Sequence, residues 1–163
     1  MYKVFLGIGG NIGDKKKNFV RCYELIEERL GKIMLFSPIY ETPPWGFLSE
    51  NNFWNQVIYC ETNFEPEMLL EEIHQIELLF GRDRKSGSYS PREMDIDILY
   101  FDDFIIKSDY LVIPHPFIQE RLFVLKPLSD IAPDFINPVL KKTSLQMLEN
   151  CKDTSEIKKV GFE

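Results

Sequence analysis

Apolar residues along the chain change their period several times, and each change marks the boundary of an element. Residues 2–8 (YKVFLGI) form a short, nearly continuous apolar run that enters Gly9-Gly10-Asn11, the pattern of a buried strand running into a turn. After Asp14, the residues Phe19, Cys22, Tyr23, Ile26 and Leu30 recur at helical spacing, and Gly31 supplies a stop. Residues 33–41 and 53–62 are rich in β-branched and aromatic residues and read as two strands. The stretch 42–52 between them, with Pro43-Pro44 and Gly46, reads as a long loop. Pro66 suits the first turn of a second helix, whose stripe of Met68, Leu69, Ile73, Ile76 and Leu79 or Phe80 ends at Gly81. Residues 94–101 then read as a strand, and Asp102-Asp103 with residues 105–113 suggests a further hairpin.

The predicted order is therefore β-α-β-β-α-β with additions. It predicts an α+β fold of the ferredoxin-like kind, with both helices against one face of a mainly antiparallel sheet and the other face left for function. Beyond Pro114 the chain is proline-rich, with short helical possibilities at 117–122 and 144–148. No repeat, low-complexity tract or linker divides it, and 163 residues suffice to bury roughly two thirds of the unfolded surface. A single domain over residues 1–163 is expected.

Composition narrows the function. An apolar share of 44% with 28% charged residues is that of a globular protein, and no apolar run approaches the roughly 20 residues that span a bilayer. The first residues lack the charged and apolar regions of a secretion signal. Cys22, Cys60 and Cys151 are widely spaced and make no metal-ligand pattern with the two histidines, which implies a reducing cytoplasm and no structural zinc. A net charge of −7 argues against general affinity for nucleic acid or anionic membranes. Against that acidic background, Arg82, Arg84, Lys85 and Arg92 face only Asp83 in residues 81–92, a local balance of +3.

Asp95-Ile96-Asp97 is the most informative tripeptide, because aspartate is depleted in strands and here occurs twice in one. Alternation puts Met94, Ile96, Ile98 and Tyr100 on the core side and both carboxylates on the other, their Cα atoms roughly 6.5–7 Å apart. Such a pair can hold Mg²⁺, which takes oxygen ligands and typically uses one or two carboxylates together with substrate phosphates. A merely solvated strand face would set two like charges side by side at a cost in stability. The arginine-, glycine- and serine-rich residues 81–92 lead directly into this pair and look like a mobile anion clamp, since guanidinium forks match phosphate oxygens. A charge run by itself is usually a solvated loop, but next to the aspartates it completes the parts of a phosphoryl-transfer site.

His115 is held between Pro114 and Pro116 and followed by Arg121 and Phe123; taken alone it reads as structural more often than catalytic. His74, beside Ile73 and Ile76, reads as packing at the edge of a helix stripe. Phe53 and Asn55 share one strand face, where a flat heterocycle could stack on the first and hydrogen-bond to the second. The glycines of residues 7–13 lack the lysine of a P-loop, and Ile12 breaks the dinucleotide fingerprint, so a tight turn before the first helix is the better reading.

Together these residues resemble the 6-hydroxymethyl-7,8-dihydropterin pyrophosphokinases of folate biosynthesis over nearly the whole chain. The resemblance rests on GIGGNIGD at 7–14, YETPPWG at 40–46, FWNQV at 53–57, GRDR at 81–84, PREMDIDIL at 91–99, PHP at 114–116 and RLFVLKPLSDIAP at 121–133. It implies a ferredoxin-like αβα sandwich that moves pyrophosphate from ATP to the pterin hydroxymethyl group and releases AMP. In that reading Asp95 and Asp97 bind two Mg²⁺ ions. Arg82, Arg84, Arg92, His115 and Arg121 bind the triphosphate, the first two from a loop that closes over it. Glu77 and Ile98 join the ATP site. Phe53 and Phe123 sandwich the pterin, while Asn55, Asp95 and the segment Thr42, Pro43, Pro44 and Trp45 read its hydrogen-bonding edge.

The implied protein is a cytoplasmic monomer whose partners are ATP and the pterin, with no nucleic acid and no membrane. Ser90, Ser88, Gly10 and Phe53 depart from the family's usual glycine or alanine, charged residue, serine and tyrosine respectively, which alters the lid and removes a hydroxyl from the stacking position. Two other readings fit the same residues less fully: a ferredoxin-like small-molecule-binding module, which needs no aspartate pair, and a γ-phosphoryl kinase, which would yield ADP.

Overall fold

In the computed structural model, which describes residues 1–43, 52–81 and 94–161, the first strand runs through its glycines. β1 (Tyr2–Gly10) continues past Ile8, so Gly9 and Gly10 are sheet residues and only the stretch at Gly13, with φ at +73°, makes the turn. The tight-turn reading of residues 7–13 is therefore corrected for its first half. α1 (Lys15–Arg29) follows, its first turn capped by Asp14, whose Oδ1 accepts from the Lys17 N–H at 3.2 Å. β2 (Gly31–Phe36) and β3 (Ile39–Thr42) are one expected strand in two pieces, broken at Ser37-Pro38, and both pair antiparallel with β4 (Phe53–Thr62).

α2 (Pro66–Leu79) starts with proline in its first turn and is stopped by Gly81 at φ +80°. Its buried stripe is Leu69, Ile73 and Ile76, continued by Phe80; Met68 and Leu79 are exposed, which corrects the stripe at both ends. β5 (Asp95–Phe101) pairs antiparallel with β1. The expected hairpin exists as β6 (Ile106–Lys107) and β7 (Val112–Ile113).

The C-terminal third holds more regular structure than the two short helices expected there. The helical possibility at 117–122 is realised only as a 3-10 turn at Ile118–Glu120, and α3 (Leu122–Ile131) takes over with Pro127 inside it. α4 (Ser144–Glu149) begins at a capping box formed by Thr143 and Gln146, and β8 (Lys158–Val160) adds to the sheet beside β3. Among the described residues the strand order is β5-β1-β4-β3-β8 with β2 also on β4, every pairing antiparallel. Counting β2 and β3 as one position, the first four places are the ferredoxin-like order.

Two cores result from strand alternation. Phe19, Cys22 and Ile26 of α1 and Leu69, Ile73 and Ile76 of α2 close on Val4, Leu6, Ile8, Ile58, Ile96 and Ile98. On the opposite face Phe5, Val57, Leu99 and Tyr100 lie under Val124, Leu125 and Leu128 of α3 and Met147 of α4. This third layer completes an αβα sandwich but covers only part of the face. No helix among the described residues is long and apolar enough to cross a membrane.

Alternation along β5 breaks once. Phe5 pairs with Tyr100 and Leu6 with Ile98, leaving Leu99 as an extra residue, a β-bulge. Tyr100, expected on the core side with Ile96 and Ile98, is consequently turned to the opposite face together with Leu99, and Phe101 takes the place in the helix-side core.

Gly31 owes its identity to crowding rather than to a helix stop. It is not among the positive-φ glycines, and a Cβ there would lie 1.9 Å from the Glu61 carbonyl oxygen. Gly31→Ala must push β2 away from β4, and the expected loss is about 1–3 kcal/mol of unfolding free energy. Urea unfolding of the variant would measure it, and unchanged stability would show that the two strands yield without cost.

Candidate active site

The uncovered part of the second sheet face is a cavity of about 700 Å³ between the strands and the N-terminal end of α3. Its floor is built from three strands in register. Gly9 pairs with Asn55 of β4 on one side and Asp95 of β5 on the other; Gly7 likewise lies between Val57 and Asp97. All six line the cavity. The glycines thus open a trough between a column of carboxylates and a column carrying Asn55. At Gly9 the space is already taken: a Cβ would fall 2.6 Å from Asn55 Oδ1 and 3.2 Å from the Trp54 carbonyl oxygen. Glycine here lets the Asn55 amide lie across the central strand.

Phe53, two residues before Asn55 on the same face, forms one wall with Thr42 and Pro43 at the end of β3. The intervening residues face the other way and are used by the scaffold. Trp54 Nε1 donates to Glu41 Oε1 at 3.1 Å, and Gln56 accepts from the Tyr23 hydroxyl at 2.6 Å while donating to the Ser37 carbonyl at 2.7 Å. The far wall comes from the segment leading into α3, which contributes His115, Phe117, Arg121 and Phe123. Arg121 lies between two rings, its guanidinium carbon 5.1 Å from the centroid of Phe117 and 5.8 Å from that of Phe123.

His115 is fixed by β5 itself. Its N–H donates to the carbonyl of the bulged residue Leu99 at 3.0 Å, so the bulge that redirects two side chains also anchors the histidine beside the aspartates. Its Nδ1 accepts from the Phe117 N–H at 3.2 Å, which in the neutral ring leaves the proton on Nε2. Burial, reinforced by the Arg121 guanidinium, lowers its pKa to about 4, while Asp95 pulls weakly the other way. His115 is therefore a neutral donor at neutral pH.

The structure brings together Thr42, Pro43, Phe53, Asn55, Asp95, Asp97, His115, Arg121 and Phe123 around this one cavity. Arg82, Arg84, Arg92, Pro44 and Trp45 lie outside the described residues. Glu77 and Ile98, expected at the ATP, are found in the helix-side core and not in the cavity wall. Glu77 is 1% exposed, and its Oε2 accepts from the Ile96 N–H at 2.9 Å, satisfying an edge donor of β5. Sequence reasoning missed Gly7 and Gly9, whose i, i+2 spacing within an apolar run was the available signal. It also missed Asp153 and Ser155, which line the cavity from a polar tail with no pattern of its own.

Residues 5–133 match the family model for 7,8-dihydro-6-hydroxymethylpterin-pyrophosphokinase (HPPK). The chain is 39% identical to the 2-amino-4-hydroxy-6-hydroxymethyldihydropteridine pyrophosphokinase of Aquifex aeolicus (strain VF5), over 87% of this chain and 88% of that protein.

This chain belongs to the HPPK family.

The relationship extends to larger family proteins: the chain is 40% identical to Folic acid synthesis protein FOL1 of Dictyostelium discoideum over 94% of its own length but only 23% of that protein. A crystal structure of Plasmodium falciparum HPPK-DHPS shares the fold, with a TM-score of 0.74 at 20% identity over 92% of this chain and 43% of that one. Gly10 ends β1 opposite Trp54, and Phe53 keeps its ring at the cavity while bringing no hydroxyl.

Because folded His115 binds a proton less readily than it would in the unfolded chain, its contribution to stability is complete above about pH 6.5 and lost as pH falls toward about 4. His115→Gln should remove that contribution. Urea unfolding at pH 7 and pH 4.5 should show a smaller acid loss for the variant than for the unaltered protein; equal losses would contradict the shifted pKa.

Proposed function

We propose that the cavity is where ATP and 6-hydroxymethyl-7,8-dihydropterin meet and where pyrophosphate passes from the first to the second in folate biosynthesis. The observation that carries the reading is the trough itself. It sets an aspartate pair, a stacking wall and a neutral histidine beside an arginine around one floor whose central strand has glycine at positions 7 and 9. The hydroxymethyl oxygen forms the new bond to the β-phosphorus. The bond from that phosphorus to the α,β-bridging oxygen breaks, AMP leaves with that oxygen, and the hydroxyl proton is released.

Phe53 and Phe123 supply faces for the flat pterin, and Asn55 offers both a donor and an acceptor for its edge, assisted by the backbone at 42–45. Aromatic faces with one amide between them select a planar, hydrogen-bonding heterocycle over an aliphatic alcohol. His115 donates from Nε2 and Arg121 from its guanidinium toward the triphosphate, and Arg82, Arg84 and Arg92 would add their charge from the preceding segment.

Asp95 and Asp97 fit Mg²⁺ by the chemistry of the donor set: hard carboxylate oxygens on one strand face, with a phosphate ligand to complete the shell. Two ions are expected, and when bound they neutralise phosphate charge and help orient the reacting phosphorus. The rest of the acceleration falls to positioning by the walls and to fixed donors aimed at the developing charge. The protein is expected to work as a cytoplasmic monomer of one domain.

Chromatography of nucleotides after mixing the protein with ATP, Mg²⁺ and the pterin tests donor, acceptor and bond cleaved together. Pterin-dependent AMP in step with pterin diphosphate is the expected result. ADP would mean γ-transfer, and tight binding without turnover would mean a binding module. Asp95→Ala and Asp97→Ala should each lower kcat by at least about 10²-fold with the fold intact. Asn55→Ala should raise the pterin KM about ten-fold, the loss expected for one or two hydrogen bonds. Full activity in either aspartate variant would overturn the metal assignment.

A further inference from the structure

The N-terminus of α3 holds two cavity residues, Arg121 and Phe123, yet the helix has no local cap. Arg121 is the N-cap residue, with φ −121° and ψ 107°, and its side chain makes no capping bond. The Leu122 N–H, between the two cavity residues, is instead taken by Asp153, 31 positions downstream, whose Oδ2 accepts it at 3.0 Å. The carboxylate is itself held in place: its Oδ1 accepts from the Ser155 N–H at 2.9 Å and from the Ser155 hydroxyl at 2.5 Å. Burial opposes ionisation of this acid, but the Ser155 and Leu122 donors outweigh it and hold the carboxyl below its ordinary range. An ionised carboxylate is also the charge that a helix N-terminus favours.

Both ends of the tail that carries Asp153 are tied down. Upstream, the Cys151 N–H bonds to the Leu148 carbonyl at the end of α4; downstream, β8 pairs with β3, the strand that ends in Thr42 at the opposite wall of the cavity. The tail therefore links the two walls, and Asp153 and Ser155 line the cavity between them. It lies beyond residues 5–133, the span matched to the family.

We infer that Asp153 is a positioning residue for the pterin and triphosphate wall, acting through Leu122 to fix the directions of Arg121 and Phe123. The inference rests on the function proposed above and adds to it a specific dependence on the C-terminal tail. Asp153 acts by orienting other groups and touches no reacting atom. Losing the cap lets the first turn of α3 fray, which loosens Phe123 against the pterin and Arg121 against the phosphates before it unfolds anything else.

The test compares Asp153→Ala, Asp153→Asn and Ser155→Ala in the full chain, with thermal melting as the check on folding and steady-state kinetics as the readout. Asp153→Ala should raise the pterin KM about ten-fold while kcat changes less than about three-fold, because a frayed wall mainly costs binding. Asp153→Asn keeps an acceptor for the Leu122 N–H and should restore most of that loss; Ser155→Ala should give a smaller shift in the same direction. An unchanged pterin KM in folded Asp153→Ala overturns the inference. So does a fall in activity that only tracks the fraction unfolded, with KM constant, and Ser155→Ala gives the same decision should Asp153→Ala fold poorly. Absence of AMP formation by the unaltered protein would instead defeat the proposed function, so the two failures are separable.

Discussion

The antiparallel pairing of β1 with β5 is the constraint on which the site depends. Over Asp95 to Ile98 the alternation is strict, so both carboxylates face the cavity while Ile96 and Ile98 fill the core under the helices. At Leu99 it fails by one residue, and that single bulge does three things. It closes the second core with Leu99 and Tyr100, returns Phe101 to the first, and presents the carbonyl that anchors His115. Without the bulge Tyr100 would belong to the helix side, and the histidine would lose its link to the strand that carries the aspartates. Bulges recur beside active sites because they re-aim side chains in this way.

The glycines of β1 are the complementary constraint. A central strand with side chains at positions 7 and 9 would fill the space between the carboxylates and Asn55. The cost of glycine in a strand is accepted here because the sheet on both sides and the packed helix face hold β1 in place. Electrostatically the trough is divided, with carboxylates on β5 facing a wall that bears Arg121 and an uncharged His115. That arrangement suits a magnesium-bound polyanion, whose cation and phosphates make opposite demands on their surroundings.

Much of this was legible in the sequence, for identifiable reasons. The two amphipathic helices and the aspartate pair follow from periods of 3.6 and 2 that the structure keeps. Phe53 and Asn55 could be placed on one face by the same alternation. What sequence could not give was every feature set by a distant partner. The bulge at Leu99 depends on its register with β1, and Gly31 is explained only by the Glu61 carbonyl. α3 was hidden by Pro127, and its N-terminal cap lies 31 residues away in a tail without periodicity. Glu77 was assigned to the ATP site by resemblance alone, and only the fold shows that its carboxylate is buried against β5 and accepts from the Ile96 N–H.

A crystal structure with the pterin, Mg²⁺ and a non-hydrolysable ATP analogue would locate both substrates and the metal at once. The expected result is the pterin ring between Phe53 and Phe123 with its edge on Asn55, metal on Asp95 and Asp97, and the triphosphate reaching His115 and Arg121. A pterin bound elsewhere, or phosphates and metal placed away from the two aspartates, would contradict it.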